Sequence, residues 1–301
     1  MELRQLKYFI GIAETGSFSE ASRRFYLSQS AISQQIKLLE EELGTLLFER
    51  TSHRVQMTES GELLLPLARN VLQDVSTCHE RLADLKGMLC GELTIGMTYS
   101  IASMARPAIT TFLKLYPKVR LNILYKNIAD LGQMLRNGKL DMAFSVRMDE
   151  RDDQIQCEQV AVYRLCAIMR STHPLADRKQ LSFQDMANQS FILPEPGIRD
   201  RNAVEQYLSS EAENLSVRAV INDPHSILSI LAQTNFISVL AEQEVHGSPY
   251  LRAIEIKELA EPVLVYAHTM KNSYRKQSAK TFLKLLRDTV QMATHELVAS
   301  S

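Results

Sequence analysis

The sequence predicts an α/β protein made of a small helical amino-terminal unit, one long connecting helix and a two-lobed carboxy-terminal unit. Short capped helices with one apolar face occupy residues 3–44. Apolar residues recur at steps of three and four through residues 59–89, and strands alternate with helices from residue 90 onward. At 301 residues the chain is long enough for each end unit to bury a core of its own.

Composition indicates a folded protein in a reducing compartment. Hydrophobic residues make up 45% and charged residues 23% of the chain, which is typical of globular domains. No apolar run reaches the roughly 18 residues that a membrane span needs. The start carries Glu2 and Glu14 and has helical periodicity, so we do not expect it to be a secretory signal. The four cysteines form no CxxC pair and no cluster with histidine, so we expect reduced thiols, a cytoplasmic location and no metal site.

Two short helices open the chain. The first is predicted over residues 3–15, and Gly16 ends it. Ser17 suits the N-cap of a second short helix, and a tight turn at Tyr26 leads to Ser28, which suits the N-cap of a third. Apolar side chains at helical spacing supply the inward faces of the first two helices: Leu6, Phe9, Ile10, Ala13, Ala21 and Phe25.

The third helix ends at Gly44 and has an unusual polar face. Its inward residues are Ala31, Ile32, Ile36, Leu39 and Leu43. The opposite face, which we call the polar front, consists of Gln29, Ser30, Ser33, Gln34 and Lys37. Two capped helices joined by a tight turn describe a helix-turn-helix, and amide and hydroxyl groups match the donors and acceptors of base edges in the DNA major groove. Ser17 and Ser19, at the start of the second helix, are candidates for the same interface.

The residues after Gly44 predict a wing. Leu46 to Phe48 are expected to pack inward, a polar turn follows, and Val55 begins a short returning strand. Three basic side chains in this turn are placed to contact phosphate or the minor groove: Arg50, His53 and Arg54. Taken alone they describe a solvated basic loop, but next to a helix-turn-helix the DNA interpretation is favoured. Seven Lys/Arg balance seven Asp/Glu in residues 1–58, so we expect a local positive edge rather than a basic domain.

A long helix is predicted from the Thr58 N-cap to about Leu89, with Pro66 marking a kink or a junction. Its apolar seam is Leu64, Leu67, Ala68, Val71, Leu72, Val75, Cys78, Leu82 and Leu85. A seam without a core of its own is expected to pair with a second chain, giving a homodimer. The alternative is that the helix packs on the carboxy-terminal unit of its own chain.

The carboxy-terminal unit alternates strands and helices, which indicates a parallel sheet with crossover helices. "GELTIGM", "VRLNILYKN" and "DMAFSV" are its first three strands. "VYRLCAIMR" and "PVLVYAHTM" are long apolar strands on either side of a second α/β segment. Strands that cross twice between two α/β lobes describe a periplasmic-binding-protein-like domain.

Ligands of such sheets bind at the carboxyl ends of strands and at helix N-termini, between the lobes. The candidate effector-binding residues at these places are Thr98, Ser100, Asn127, Ser145, Arg147, Gly197, Arg199 and His225, with Phe236 as a residue that narrows the cleft. Hydroxyls, free amides and guanidinium groups prefer a small anion, such as a carboxylate. Each residue taken alone also suits a capping or loop role, and both arginines also suit surface ion pairs.

The stretch "FSEASRRFYLSQSAISQQIKLLEEELGTLLFERTSHRVQMTESG" resembles the DNA-binding domain of the LysR-type transcriptional regulators. The likeness is close over residues 1 to about 65, and the remaining layout is similar as well. It implies a winged helix-turn-helix over residues 1–58 and a dimerisation helix over 59–89. It also implies an effector domain over 90–301, with lobe I at about 90–162 and 267–301 and lobe II at about 163–266. An antiparallel dimer through the long helix, assembled into a tetramer, is implied in the same way.

The sequence departs from this family at three places. Ser30 stands where the family often has proline, and Phe236 lies in a turn that usually contains glycine. "PGIRD" resembles the segment in which peroxide-sensing members carry a reactive cysteine, but Ile198 occupies that neighbourhood. We therefore expect no disulfide switch of that design, while Cys157 and Cys166 stay open as oxidisable thiols.

The function that these patterns favour is a sequence-specific transcriptional regulator that responds to a small molecule. Its expected partners are double-stranded DNA, the effector, further copies of itself and RNA polymerase; no cofactor and no membrane are expected. The alternatives are an enzyme or binding protein with an accessory DNA domain, and an architectural DNA protein without an effector. An enzyme is disfavoured because the sequence shows no nucleophile–base pairing, phosphate-binding glycine loop, HExxH motif or metal spacing, and therefore no catalytic residues.

Overall fold

The computed structural model describes residues 1–50, 55–85, 89–148, 152–196, 198, 200–205, 216–271 and 273–299. The chain forms two compact units, one of residues 1–88 and 136–139 and one of residues 89–135 and 140–301. No helix in these described ranges has both the length and the apolar character needed to cross a membrane.

The first unit consists of four helices and a two-stranded antiparallel sheet. In chain order these are α1 (Leu3–Thr15), α2 (Phe18–Arg24), α3 (Gln29–Leu43), β1 (Phe48–Arg50), β2 (Val55–Met57) and α4 (Glu59–Leu85). The predicted helix ends are confirmed, because Gly16 and Gly44 both adopt the left-handed conformation, with φ of 64° and 67°. The Ser17 and Ser28 side chains cap α2 and α3 as predicted.

A single core joins these helices. Leu6, Phe9, Ile32, Ile36 and Leu39 are fully buried in it. The expectation that Leu43 and Leu46 pack inward is wrong, since they are 39% and 63% exposed. The carboxylate of buried Glu40 accepts hydrogen bonds from the backbone N–H groups of Leu47 at 2.8 Å and Phe48 at 3.3 Å. These bonds fix the backbone so that the side chains of Leu47 and Phe48 enter the core and that of Leu46 does not.

The long helix α4 contains Pro66, which does not end it. Its predicted single seam is divided into two stripes. Leu64, Ala68 and Leu72 pack against the core of the first unit, and Ala68 is 1% exposed. The second group, which we call the exposed stripe, consists of Leu63, Leu67, Val71, Cys78 and Leu82. The seam prediction is therefore wrong for the three residues that serve the unit's own core.

The second unit contains two lobes. Lobe I consists of β3 (Gly91–Met97), α5 (Ala102–Leu115), β4 (Val119–Tyr125), α6 (Ile128–Arg136), β5 (Met142–Ser145), β6 (Ile155–Tyr163), β13 (Val263–Met270) and α9 (Gln277–Ala299). Lobe II consists of β7 (Leu165–Arg170), β8 (Gln180–Leu181), β9 (Ser190–Leu193), α7 (described over 200–205), β10 (Ser216–Val220), α8 (Pro224–Leu231), β11 (Ser238–Ala241) and β12 (Leu251–Ile256).

In the sheet of lobe I the strands β3, β4 and β5 run parallel, so their carboxyl ends lie at the same edge of the sheet. Lobe I has a five-stranded sheet in the order β4-β3-β5-β13-β6, in which β3 runs parallel to β4 and β5 while β13 is antiparallel. Lobe II has a four-stranded sheet, β11-β7-β12-β8, and a parallel pair, β10-β9. The chain passes from β6 to β7 and returns through β13, which confirms the two predicted crossings. Strands β8 and β12, and most of β6, were not predicted.

Candidate nucleic-acid interface and ligand cleft

The polar front of α3 is presented to solvent because the opposite face of the helix is buried and largely apolar. Ile32, Ile36 and Leu39 are 0% exposed, so rotation of the helix about its axis would bury polar groups. Gln29, Ser30, Gln34 and Lys37 are exposed, and Ser33 is partly exposed. The predicted front therefore forms one continuous surface of amide, hydroxyl and ammonium groups.

Hydrogen bonds fix the amino-terminal end of this surface. The Ser28 hydroxyl accepts from the Ala31 N–H at 3.2 Å, and the hydroxyls of Ser28 and Ser30 lie 3.0 Å apart. The Ser19 hydroxyl donates to Gln29 Oε1 at 3.0 Å, which joins the start of α2 to the start of α3. Ser17 accepts from the Glu20 N–H at 3.3 Å, so its oxygen already serves as the cap of α2.

The charge on the polar front is a single ammonium group. Lys37 Nζ lies 3.6 Å from Glu41 Oε1, with the two side chains 73% and 57% exposed. An exposed pair of this kind contributes only about 0.3–0.5 kcal/mol, so Lys37 can exchange Glu41 for a phosphate at little cost. In the wing, the backbone of Arg50 pairs with Val55. The Arg50 side chain and the whole of His53 and Arg54 lie outside the described residues.

Tyr26 is a candidate contact that the sequence did not reveal. It lies in the turn between α2 and α3, is 95% exposed and has a φ of 55°. A bulky residue in the left-handed region is uncommon and strained. Its N–H bonds to Arg23 O at 3.2 Å, which fixes the backbone of the turn, and its side chain is open to solvent. The pattern predicted a turn there, but nothing in it distinguished an exposed aromatic from a packed one.

A cavity of about 230 Å³ lies between the lobes of the second unit, at the carboxyl ends of β3 and β4. Thr98, Ser100 and Asn127, three of the predicted effector residues, line it from lobe I. Lobe II contributes Glu195, Ile198 and Asn222, and lobe I adds the charged Lys126 and Asp130. These five residues were not predicted, although Lys126 and Asp130 flank Asn127 at the end of β4.

The polar groups of this cleft are ordered by local bonds. The Asn127 side chain accepts from the Asp130 N–H at 2.8 Å and donates to Asp130 Oδ2 at 3.0 Å. The Thr98 and Ser100 hydroxyls lie 3.5 Å apart, and Thr98 N–H bonds to Phe144 O at 3.1 Å. Two hydroxyls, an amide and a lysine thus converge on one small volume together with the carboxylates of Asp130 and Glu195.

Four predicted effector residues do not line this cleft. Ser145 is 0% exposed beneath the strand end. The Arg147 guanidinium lies 5.9 Å from the Tyr266 ring centre, and Phe236 packs on the core of lobe II instead of narrowing the cleft. His225 lines a different cavity. Gly197 and Arg199 lie outside the described residues.

Ser145 instead belongs to a buried polar chain in lobe I. It donates to Val146 O at 2.6 Å and lies 3.0 Å from Nε2 of His268, whose Nδ1 is 3.3 Å from Cys157 Sγ. Burial lowers the pKa of His268 to about 4 and raises that of the Cys157 thiol. Both groups are therefore neutral near pH 7, and because Ser145 and His268 are fully buried, no substrate can reach them. These three side chains form a structural hydrogen-bonded network and not a nucleophile–base pair.

Among the described residues, no three His, Cys, Asp or Glu side chains lie close enough together to hold a metal ion. The Cys166 thiol is buried, and its pKa is raised to about 12, first by burial and then by Glu242. Since the thiolate is the reactive form of cysteine, neither Cys157 nor Cys166 is activated for oxidation.

Comparison with known families matches both units. Residues 3–62 match the model of the bacterial regulatory helix-turn-helix proteins of the lysR family, and residues 86–291 match the LysR substrate binding domain. Over 205 residues the chain is 32% identical to the HTH-type transcriptional regulator CfxR of Cupriavidus necator, an alignment that covers 68% of this chain and 64% of that protein.

Two solved structures share the fold over nearly the whole chain. A full-length OxyR variant from Pseudomonas aeruginosa has a TM-score of 0.71 at 21% identity and is matched over 95% of this chain and 98% of its own. Full-length CbnR complexed with its target DNA has a TM-score of 0.66 at 22% identity, over 96% and 100% of the two chains. With both domain models matched, the chain belongs to the LysR family and is a transcriptional regulator with a helix-turn-helix DNA-binding domain and an effector-binding domain, not an enzyme.

Proposed function

We propose that the protein reads a specific operator in double-stranded DNA through the polar front of α3, and that a small anionic effector in the cleft of the second unit changes this binding. The observation that carries the proposal is the row of exposed Gln29, partly exposed Ser33 and exposed Lys37, held outward by the buried face of α3. Amides and hydroxyls on a rigid helix suit the major groove, where each base pair presents its own set of donors and acceptors.

The remaining DNA contacts are assigned by position. Ser30 and Gln34 adjoin the row, and Ser19 orients Gln29. Arg50 and Arg54 in the wing supply positive charge for phosphate or the minor groove, and His53 supplies a hydrogen-bond donor. Ser17 contributes by fixing the start of α2, because its hydroxyl is occupied by the Glu20 N–H.

Assembly follows from α4. The exposed stripe places Leu67, Val71 and Leu82 in water at 53%, 37% and 59% exposure. Full burial of a large apolar side chain from water is worth about 1.5–3 kcal/mol, so the exposed portions of these residues gain roughly half of that each when a second helix covers them. We therefore propose a homodimer through α4, and a tetramer in which the second units join two dimers. RNA polymerase is a further partner that we propose for a cytoplasmic regulator of this kind.

The chemistry of the cleft supports a monoanion as effector. Thr98, Ser100 and Lys126 offer two hydroxyls and an ammonium group, while Asp130 and Glu195 would repel a dianion. A carboxylate that also carries a hydroxyl or amino group meets both requirements. Arg147, which the sequence suggested as an anion ligand, lies against Tyr266 instead.

The experiment has two arms on the full-length chain. Selection from random DNA should yield an operator of two half-sites spaced by one helical turn or a multiple of it. Calorimetry against monocarboxylic acids should then identify a ligand that Ser100→Ala and Lys126→Gln weaken and Arg147→Ala leaves unchanged. If the protein selects an operator but none of the acids changes its footprint on that operator, the architectural alternative is supported and the effector proposal is contradicted.

A further inference from the structure

We infer that the second unit has another ligand site, separate from the effector cleft, which binds a small zwitterion of the α-amino-acid type. This cavity of about 270 Å³ lies between α5 of lobe I and the start of α8 in lobe II. Its lining includes Arg106, His225 and Glu244, together with the rings of Tyr99 and Tyr125. The family comparison assigns no role to these residues, and the sequence singled out only His225.

The negative group of the site is Glu244. It belongs to the segment between β11 and β12 in lobe II, and its Oε1 accepts a 2.9 Å hydrogen bond from the Ser103 hydroxyl of α5. No described residue forms an ion pair with it. Burial raises the pKa of Glu244, while Ser103, Arg106 and His225 act in the opposite direction. A carboxylate removed from water with one neutral donor gains strongly from a bound cation.

The positive group is Arg106 of α5. Its guanidinium attracts Glu244 electrostatically but is not paired with it or with any other described carboxylate. Asp223, the other acid at this cavity, is already engaged, since it accepts hydrogen bonds from Ser226 N–H at 2.9 Å and from the Ser226 hydroxyl at 2.6 Å. The cavity therefore presents one unpaired cation and one unpaired anion. A single ligand that carries both a carboxylate and an ammonium satisfies both groups at once.

The rest of the wall is apolar and aromatic. The rings of Tyr99 and Tyr125 stack with centroids 5.3 Å apart and planes 15° apart, and Ala102, Ile109 and Pro224 complete the surface. Such a wall suits an aliphatic or aromatic side chain. The volume is just below the roughly 300–1,000 Å³ of sites for drug-sized ligands, which limits the occupant to about the size of one amino acid.

The same two tyrosines also line the effector cleft. The stacked pair is thus a shared wall, and a ligand that moves one ring changes the shape of both cavities. Binding at this site would alter the affinity of the effector cleft, and by reciprocity the effector would alter the affinity of this site.

The chain contains no tryptophan, so binding of added L-tryptophan can be followed by fluorescence without a tryptophan signal from the protein. Emission of added L-tryptophan reports its own binding to the full-length protein, and calorimetry with L-phenylalanine gives an independent measurement. We expect saturable binding of both. Indole-3-propionate, which lacks the ammonium, and tryptamine, which lacks the carboxylate, should bind roughly tenfold more weakly or worse.

Variants separate this site from the effector cleft. Glu244→Gln and Arg106→Gln should each weaken L-tryptophan binding about tenfold, whereas Ser100→Ala and Lys126→Gln should leave it unchanged. Arg106 is exposed, so its replacement is not expected to disturb folding. The inference is overturned if neither amino acid saturates the wild type, if Arg106→Gln binds like wild type, or if the Ser100 and Lys126 variants are the ones that lose binding. None of these results bears on operator recognition by α3.

Discussion

The hydroxyl of Ser19 donates a 3.0 Å hydrogen bond to Oε1 of Gln29, and this bond ties the first turn of α2 to the first residue of α3. The amide oxygen accepts this bond, and among the described residues the amide nitrogen has no partner, so both of its N–H groups can donate to DNA. Gln29 is therefore held in one orientation before DNA arrives, which lowers the entropy lost on binding.

Replacing Gln29 by alanine should reduce the preference for operator over random DNA by about 1–3 kcal/mol, the value of one good bidentate base contact. Ser19→Ala should shift the preference in the same direction but less, since Gln29 keeps its amide and loses only its orientation. The measurement is competition binding at one fixed salt concentration, with operator and random duplexes of equal length.

Gln35 provides the matched control, because it is a glutamine of the same helix that lies outside the polar front. Gln35→Ala should bind operator and random DNA as the wild type does. Unchanged discrimination in Gln29→Ala would remove Gln29 from the base-reading surface.

Lys37→Ala tests the phosphate contribution. Loss of one ammonium that neutralises a phosphate should weaken operator and random DNA alike and reduce the slope of log K against log salt by about one unit. Titrations at several salt concentrations give the slope. Lys114→Ala removes the same charge from the exposed surface of the second unit and should leave the slope unchanged. A Lys37 variant that loses affinity for the operator alone would indicate a base contact instead.

Capping and helical spacing predicted the helix-turn-helix well. The wrong predictions concern residues for which the sequence had to show what each side chain packs against. Ser28 and Gly44 mark the ends of α3 because capping depends only on neighbouring backbone groups. The spacing of apolar residues in α4 could not show that Leu72 packs on the first unit while Val71 faces water. The spacing of apolar residues shows which face of a helix is buried, but it does not show which other part of the protein buries that face.

The same limit applies to the cleft. Strand ends correctly placed Thr98 and Asn127 at the cavity, because the carboxyl ends of parallel strands share one edge. The direction of a side chain at such an end was not predictable. Ser145 turns inward to His268, which lies on β13, a strand that comes more than a hundred residues later in the chain.

Charges in the exposed stripe of α4 should prevent assembly. Leu67→Glu with Leu82→Glu should give monomers that lose operator binding, because both side chains are more than half exposed in a single chain and are available for a partner. Leu72 is unsuitable for this test, since it supports the fold of the first unit. Light scattering gives the oligomeric state.

Ser76 supplies the control for assembly. It is exposed on the opposite side of α4 from Leu67, since nine residues at 100° each amount to half a turn beyond two full ones. Ser76→Glu adds one charge to the same helix and should stay oligomeric. Double variants at Leu67 and Leu82 that keep the wild-type mass in solution would show that another surface joins the chains.

The buried imidazole of His268 should make the protein sensitive to mild acid. Burial lowers its pKa from 6.5 to about 4, so between these values the unfolded chain binds a proton that the folded chain does not. Stability from this group is fully present above pH 6.5 and is lost as the pH falls toward 4. At pH 5, which is 1.5 units below the pKa of the unfolded chain, the loss in the free energy of unfolding should be on the order of 2 kcal/mol, at about 1.36 kcal/mol per unit.

Urea unfolding of wild type and His268→Gln at pH 8 and pH 5 measures this loss. The variant should be less stable at pH 8, where Ser145 and Cys157 lose their partner, yet change less between the two pH values. Exposed His246→Gln should keep the wild-type dependence. An equal acid-induced loss in wild type and His268→Gln would mean that other groups cause it.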